Sequence, residues 1–211
     1  DEYVPTWSRR LSVNPAAFAD DKTPNCEIHV ATSGSDVSGD GSKEGPYATI
    51  DNAAKFVVPG CALVVAPGVY PGGEYIANLA GTVNQPIWIR GSDPNNRPVI
   101  EGGGAGIHLT KIRYLVVENL EIRGSANNGI NCDDGGDYAN PATTQYVLFR
   151  NLYIHDIGSG GNQDGLKLSG VDDYAVQDCT FVRTSAGGSG IDHVGCHNGI
   201  ITRCTFSDMG S

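Results

Sequence analysis

Short runs of alternating apolar and polar residues recur along the C-terminal half of the chain. "GIHLT" (106 to 110), "GINCD" (129 to 133), "GLKLS" (165 to 169) and "GIDHV" (190 to 194) align with one another. So do "NLEI" (119 to 122), "NLYI" (151 to 154), "DCTF" (178 to 181) and "RCTF" (203 to 206). Residues 165 to 181 and 190 to 206 match without a gap, 25 positions apart. Alternation with a period of two predicts strands. A unit that returns every 23 to 36 residues, with two strands in it and no way to bury its own apolar face, predicts stacked coils whose neighbours supply the core. In register, each aligned residue stands about 4.8 Å above its counterpart. Ile107, Ile130, Leu166 and Ile191 then form one inward column, and Leu120, Leu152, Cys179 and Cys204 another. Each such burial is worth about 1.5 to 3 kcal/mol, so these columns stay apolar. The outward column His108, Asn131, Lys167, Asp192 is free to vary.

The first half is less regular. Residues 1 to 25 show neither period and contain three prolines; they read as an extended N-terminal arm. From Cys26, "CEIHVA" predicts a strand, and "YATIDNAAKFV" (47 to 57) carries apolar residues at helical spacing up to Pro59-Gly60. "CALVVAPG", "PIWIRG" and "PVIEGG" are further strands, each stopped by Gly or Pro.

From Cys26 to the end, this order of strand, amphipathic helix within "GPYATIDNAAKFVVPGCALVVAPGVYPGG", and coils bearing "DG(I/L)xL" and "N(L/C)xI" resembles the pectate-lyase-like single-stranded right-handed β-helix superfamily. The resemblance implies an all-β fold, a right-handed parallel β-helix or solenoid over 26 to 211 with an N-terminal capping helix. Nothing like a cap follows Phe206, so C-terminal coils or a cap are expected to be missing, or the uncovered coil to associate end to end, with the arm as a connecting strand. The same fold hosts lyases, glycosidases, epimerases, adhesins and fibres, so it does not by itself select a function.

Composition narrows the functional classes. Twenty-nine glycines in 211 residues and 18% charged residues suit short strands and tight turns. The net charge of -10 argues against nucleic acid as a partner, since that affinity rests on neutralising phosphates. No apolar run reaches the roughly 18 residues of a membrane span. Six cysteines and few lysines suit a secreted or cell-surface protein; Cys26 and Cys61 are the favoured pair, while Cys179 and Cys204 read as free buried thiols.

Spacing also points to a working face. Ile107 to Ile130 takes 23 residues and Leu166 to Ile191 takes 25, but Ile130 to Leu166 takes 36. The extra residues fall in two loops, 133 to 145 and 157 to 164, flanking the strands that carry Asn131 and Lys167. Insertions in repeat arrays collect on the working face. Asp133, Asp134 and Asp137 in "DDGGD" offer oxygen ligands suited to Ca²⁺, against a solvated acidic turn as the plain alternative. β-Helix lyases that act on uronates pair Ca²⁺ with a Lys or Arg base, and the resemblance would give that role to Lys167. Against it, Asp192 one rung away favours a structural ion pair. His193 falls in an inward column and reads as a core histidine; His197 lies in a turn and is freer. Asp164, Asp172, Asp173 and Asp192 supply the clustered carboxylates a glycosidase needs, but the Asn-x-Asp, Asp-Asp and Gly-His-Gly motifs of polygalacturonase-like enzymes are missing. A Cys196/His197 zinc site or nucleophile lacks further members. The expectation is a carbohydrate-active β-helix, most concretely a Ca²⁺-assisted lyase on an acidic polysaccharide, with Lys167, Asp192 and His197 catalytic and Asn131, His108 and Asp164 binding substrate. The alternative is a non-catalytic structural, surface-fibre or glycan-binding β-helix.

Overall fold

The computed structural model describes residues 14 to 137, 139 to 140 and 142 to 210. Every named strand pair is parallel, and the chain winds through three sheets in turn. The two columns read from the sequence hold. Ile130 pairs with Ile107 on one side and Leu166 on the other, and Leu166 pairs with Ile191, in a five-strand sheet. Tyr153 pairs with Glu121 and Thr180, and Thr180 with Thr205, in a six-strand sheet. The side chains facing inward, from Ile107 and Ile130 to Leu152, Ile154 and Phe181, are almost wholly buried in a single core.

A third sheet has seven strands, of which the sequence predicts Cys26–Val30, Cys61–Val65 and Ile87–Gly91 but not Arg113–Glu118, Thr144–Arg150, Val171–Gln177 or Ile200–Thr202. Its strands, among them Cys61–Val65, Arg113–Glu118 and Val171–Gln177, are buried over most of their length and so show no alternation. Their inner face joins the main core. Their outer face, Ala62, Val64, Trp88, Val116, Leu148 and Ala175, forms a second cluster covered by Ala16, Phe18 and Ala19. The described part of the N-terminal arm therefore lies on its own sheet, with the Phe18 ring edge-on to the stacked pair Tyr114 and Tyr146.

Backbone demands at the corners explain the repeated "DG" and "N" signals. Gly106 and Gly129 are the second residues of their strands in the five-strand sheet, and Gly165 and Gly190 stand just before theirs. A Cβ on Gly165 would stand 2.6 Å from the Gly190 carbonyl oxygen and 2.8 Å from the Phe181 ring. The glycine column thus makes room for the aromatic and aliphatic column beside it. Asn119 and Asn151 adopt φ of 59° and 51° between the seven- and six-strand sheets, a conformation Asn tolerates well. Asn151 donates its side-chain amide to Asn119 at 2.7 Å, linking successive turns.

The helix expected over 47 to 57 is confined to Ile50–Ala54, so a capping helix of the expected length is not found; the other helical turn among the described residues is a three-residue 3-10 turn at Ala17–Ala19. Tyr47 is drawn into the sheet instead: it bridges Val30 and its amide donates to the His29 carbonyl at 2.9 Å. The buried Glu74 carboxylate accepts the first helical amides, from Ile50 at 3.4 Å and Asp51 at 2.6 Å. Cys26 and Cys61 are joined by a disulfide, their Cα atoms 4.6 Å apart, while Cys179 and Cys204 are free thiols. His193 occupies the inward register opposite Leu168, yet it is exposed in the last described coil rather than buried. No helix among the described residues is long and apolar enough to cross a membrane.

Outward acid–base pairs between coils recur along the solenoid: Glu118 with Arg150, Glu101 with Arg123, Asp156 with Arg183 and Asp178 with Arg203. Parallel register stacks each arginine beside a carboxylate of an adjoining coil.

Candidate functional site

The outward face of the five-strand sheet carries a row of five polar and aromatic groups. Register sets Tyr75 beside His108, His108 beside Asn131, Asn131 beside Lys167 and Lys167 beside Asp192. Alternation is the cause: with Ile107, Leu109, Ile130, Leu166 and Leu168 turned into the core, the residues between them must face out.

At one end of the row is a histidine–carboxylate pair. His108 Nε2 lies 2.7 Å from Asp133 Oδ2, and the Tyr75 ring stands edge-on to the imidazole with centroids 5.1 Å apart. Asn131 Nδ2 donates to the same Asp133 oxygen at 2.8 Å. Thr110 Oγ1 and the Gly135 amide donate to the other, at 2.5 and 2.9 Å. Partial burial pushes the Asp133 carboxyl up, but the hydrogen bonds from Thr110, His108 and Gly135 outweigh it and hold the group below its ordinary value. Asp133 is therefore an anion that fixes the orientation of His108.

At the other end Lys167 Nζ is ion-paired with Asp192 and lies 3.8 Å from Asp164 Oδ2. The hydrogen bond from Lys167, opposed by slight burial, lowers the Asp192 carboxyl below its usual range. Asp164, expected to bind substrate, is buried, with 1% of its side chain exposed. Its Oδ1 accepts the Ser189 amide at 2.8 Å, whereas its buried Oδ2 has no hydrogen-bond partner and faces the lysine.

The other expected residues separate. His197 sits at the corner between the five- and seven-strand sheets, half-exposed, with its amide and Nδ1 donated to Asp172 at 3.0 and 2.8 Å. It borders a cavity of about 310 Å³ with Asp134, Asp172 and Ser169, away from the row. Asp133, Asp134 and Asp137 do not converge as cation ligands. Both Asp133 oxygens are taken by four donors; Asp134 is buried, accepts the Gly136 amide at 2.8 Å and abuts Gly170; Asp137 accepts Thr143 Oγ1 at 2.9 Å. Adjacent residues on a strand end point to opposite faces, which separates the first two. Among the described residues no three His, Cys, Asp or Glu side chains form a metal-binding group.

Sequence reasoning missed Lys111 and Arg113. They follow the His108 strand at the same corner and line a cleft of about 270 Å³ with Asn78, Asp137, Asn140 and Thr143. Their signal in the sequence was the lack of acidic residues at the aligned positions, Ala80 and Gln145 beside Arg113.

No protein-family model matches the sequence, and no curated protein does. Solved structures match the fold. The GH136 lacto-N-biosidase from Eubacterium ramulus aligns with a TM-score of 0.66 at 20% identity, over 85% of this chain and 41% of that one. An alginate lyase from Paenibacillus sp. strain FPU-7 aligns at 0.58 and 20% identity, over 86% and 66%. The pectate lyase Pel9A aligns at 0.59 and 17% identity, over 86% and 50%. The chain shares the parallel β-helix fold of these three proteins, and it spans 41% to 66% of their length.

Proposed function

We propose that this chain is a secreted, carbohydrate-active β-helix that binds an acidic, uronate-containing polysaccharide across its five-strand face and cleaves it by β-elimination. The observation that carries the reading is the outward row itself, with an oriented histidine and a lysine on one open surface. The similar folds of an alginate lyase and a pectate lyase support the class of substrate. The Cys26–Cys61 disulfide supports export.

Elimination requires removal of the proton at C5 of a uronate. In the neutral ring of His108, Nε2–H is donated to Asp133 and Nδ1 keeps its lone pair, the arrangement of a general base. His108 takes the C5 proton, the electron pair closes the C4–C5 double bond, and the C4–O bond breaks, its oxygen taking a proton from water. Lys167 was the expected base. As an ammonium ion-paired with Asp192 it has no lone pair to offer, so in this reading it opposes the negative charge that gathers on the substrate carboxylate. Asp192 and Asp164 hold it in place, and Asn131 lies between the two ends of the row. No step of this reading runs through calcium: among the described residues Asp133, Asp134 and Asp137 form no metal-binding group and are engaged by other donors.

A second reading has its own support. Lys167–Asp192 is one of several pairs between coils, so the row is also what a non-catalytic structural or glycan-binding β-helix would carry. Incubation with a panel of uronate polymers and neutral glycans, followed by ultraviolet absorbance of unsaturated product, separates the two. Product from at least one uronate polymer is expected; none from any polymer would favour the scaffold reading.

A further inference from the structure

Arginines on this solenoid are neutralised as a rule. Among the described residues Arg90, Arg123, Arg150, Arg183 and Arg203 each pair with a carboxylate, and Arg97 donates to Asn151 at 2.5 Å. Among the described arginines Arg113 alone shows neither an ion pair nor a hydrogen bond from its side chain to a described residue, and it is exposed. The contrast lies in the register. Arg150 stands beside Glu118 and Arg123 beside Glu101, whereas Arg113 stands between Ala80 and Gln145.

Lys111, two residues earlier, is also exposed and without an ion pair among the described residues. Its chain runs over Gly135, where a Cβ would stand 2.6 Å from Lys111 Cε. Glycine at that position makes room for the lysine beside the cleft shared with Arg113. The cleft's carboxylate, Asp137, is bonded within its own loop to Thr143 Oγ1 at 2.9 Å and Asn140 Nδ2 at 3.5 Å. Two cations thus border one cleft with amide and hydroxyl groups, on a chain whose net charge of -10 repels anions elsewhere.

We propose that this cleft is a carboxylate subsite, in which Arg113 and Lys111 hold the acid group of a uronate adjoining the one at His108. An arginine fork takes a carboxylate with two parallel bonds and a lysine adds a point charge. Arg113 lies five residues beyond His108 on the same coil, so one glycan crossing the sheet edge reaches both. The subsite rests on the reading of the five-strand face as a surface for acidic glycan, and it sets which sugar of the chain must be charged.

Calorimetric titration tests the subsite, with cleavage read separately. Trimers of galacturonate, guluronate and galactose are titrated into the wild-type chain, Arg113→Gln and the double variant Lys111→Met/Arg113→Gln, and inorganic sulfate is used as a competitor. At least one uronate trimer is expected to bind. The double variant should weaken it about tenfold or more, and Arg113→Gln alone severalfold, with melting temperature unchanged because both positions are exposed. Binding of neither uronate trimer overturns the subsite. So does an unchanged affinity in the double variant, an equal loss for the galactose trimer, or displacement of the uronate by sulfate at equal concentration. A wild-type chain that binds in the expected way but forms no unsaturated product contradicts the elimination and leaves the subsite standing. Cleavage with an unchanged KM in the double variant does the reverse.

Discussion

Glu74 ties the stability of the first coils to pH in a window where few other carboxylates titrate. The residue faces inward, 4% exposed, with its carboxylate on the first amides of the short helix. Burial pushes its carboxyl up from 4.5 to about 7, against the Asp51 amide hydrogen bond and helped by the nearby Asp51 charge. Because the folded value lies above the unfolded one, the native state binds more protons between the two. The group's contribution is complete below the unfolded value and is lost as pH rises through about 7. A pKa unit is worth about 1.36 kcal/mol, so the loss between about pH 5 and pH 8 comes to about 2.5 kcal/mol. Glu74→Gln keeps an oxygen for the Asp51 amide and cannot ionise. Urea unfolding of both proteins at the two pH values isolates the effect, since every other titrating group is common to both. Relative to Glu74→Gln, the wild type should lose about 2 to 3 kcal/mol on going from the acidic to the basic condition. A difference constant to within about 0.5 kcal/mol would refute the reasoning.

Gly165→Ala should cost about 1 to 3 kcal/mol in urea unfolding, because its methyl meets the Gly190 carbonyl and the Phe181 ring; Gly104→Ala, where the nearest atom lies 3.6 Å away, is the control and should be near neutral. Excess Ca²⁺ and excess chelator should give the same melting temperature; a rise of several degrees with Ca²⁺ would mean that the "DDGGD" carboxylates rearrange to bind it.

How much of this was legible in the sequence depends on how each residue's position is constrained. Columns inside strands were readable because burial on one face enforces a period of two, and Ile107, Ile130, Leu166 and Ile191 keep it through an insertion. The same logic brought His108, Asn131, Lys167 and Asp192 into one row. It failed for the seven-strand sheet, where the arm's Phe18 buries the outer face as well and Val116 and Leu148 erase the alternation. It failed at corners too. Asp164, one residue before Gly165, is buried on the Ser189 amide, and His197 turns to Asp172, because corner side chains follow local hydrogen bonds rather than a column. Asp133 was legible as chemistry but not as to its partner: a carboxylate in a glycine-rich acidic turn reads as a cation ligand, and only the register reveals His108, Thr110 and Asn131 around it.

The claim that the five-strand face performs the chemistry rests on the oriented histidine. The most direct measurement is the initial rate of unsaturated product formation by His108→Ala, on whichever uronate polymer the wild type cleaves. A fall of about 10² to 10⁴ is predicted, the usual contribution of a general base, with the fold retained because Asp133 keeps its bonds from Asn131, Thr110 and the Gly135 amide. A rate within about twofold of the wild type would place the base elsewhere and contradict the account.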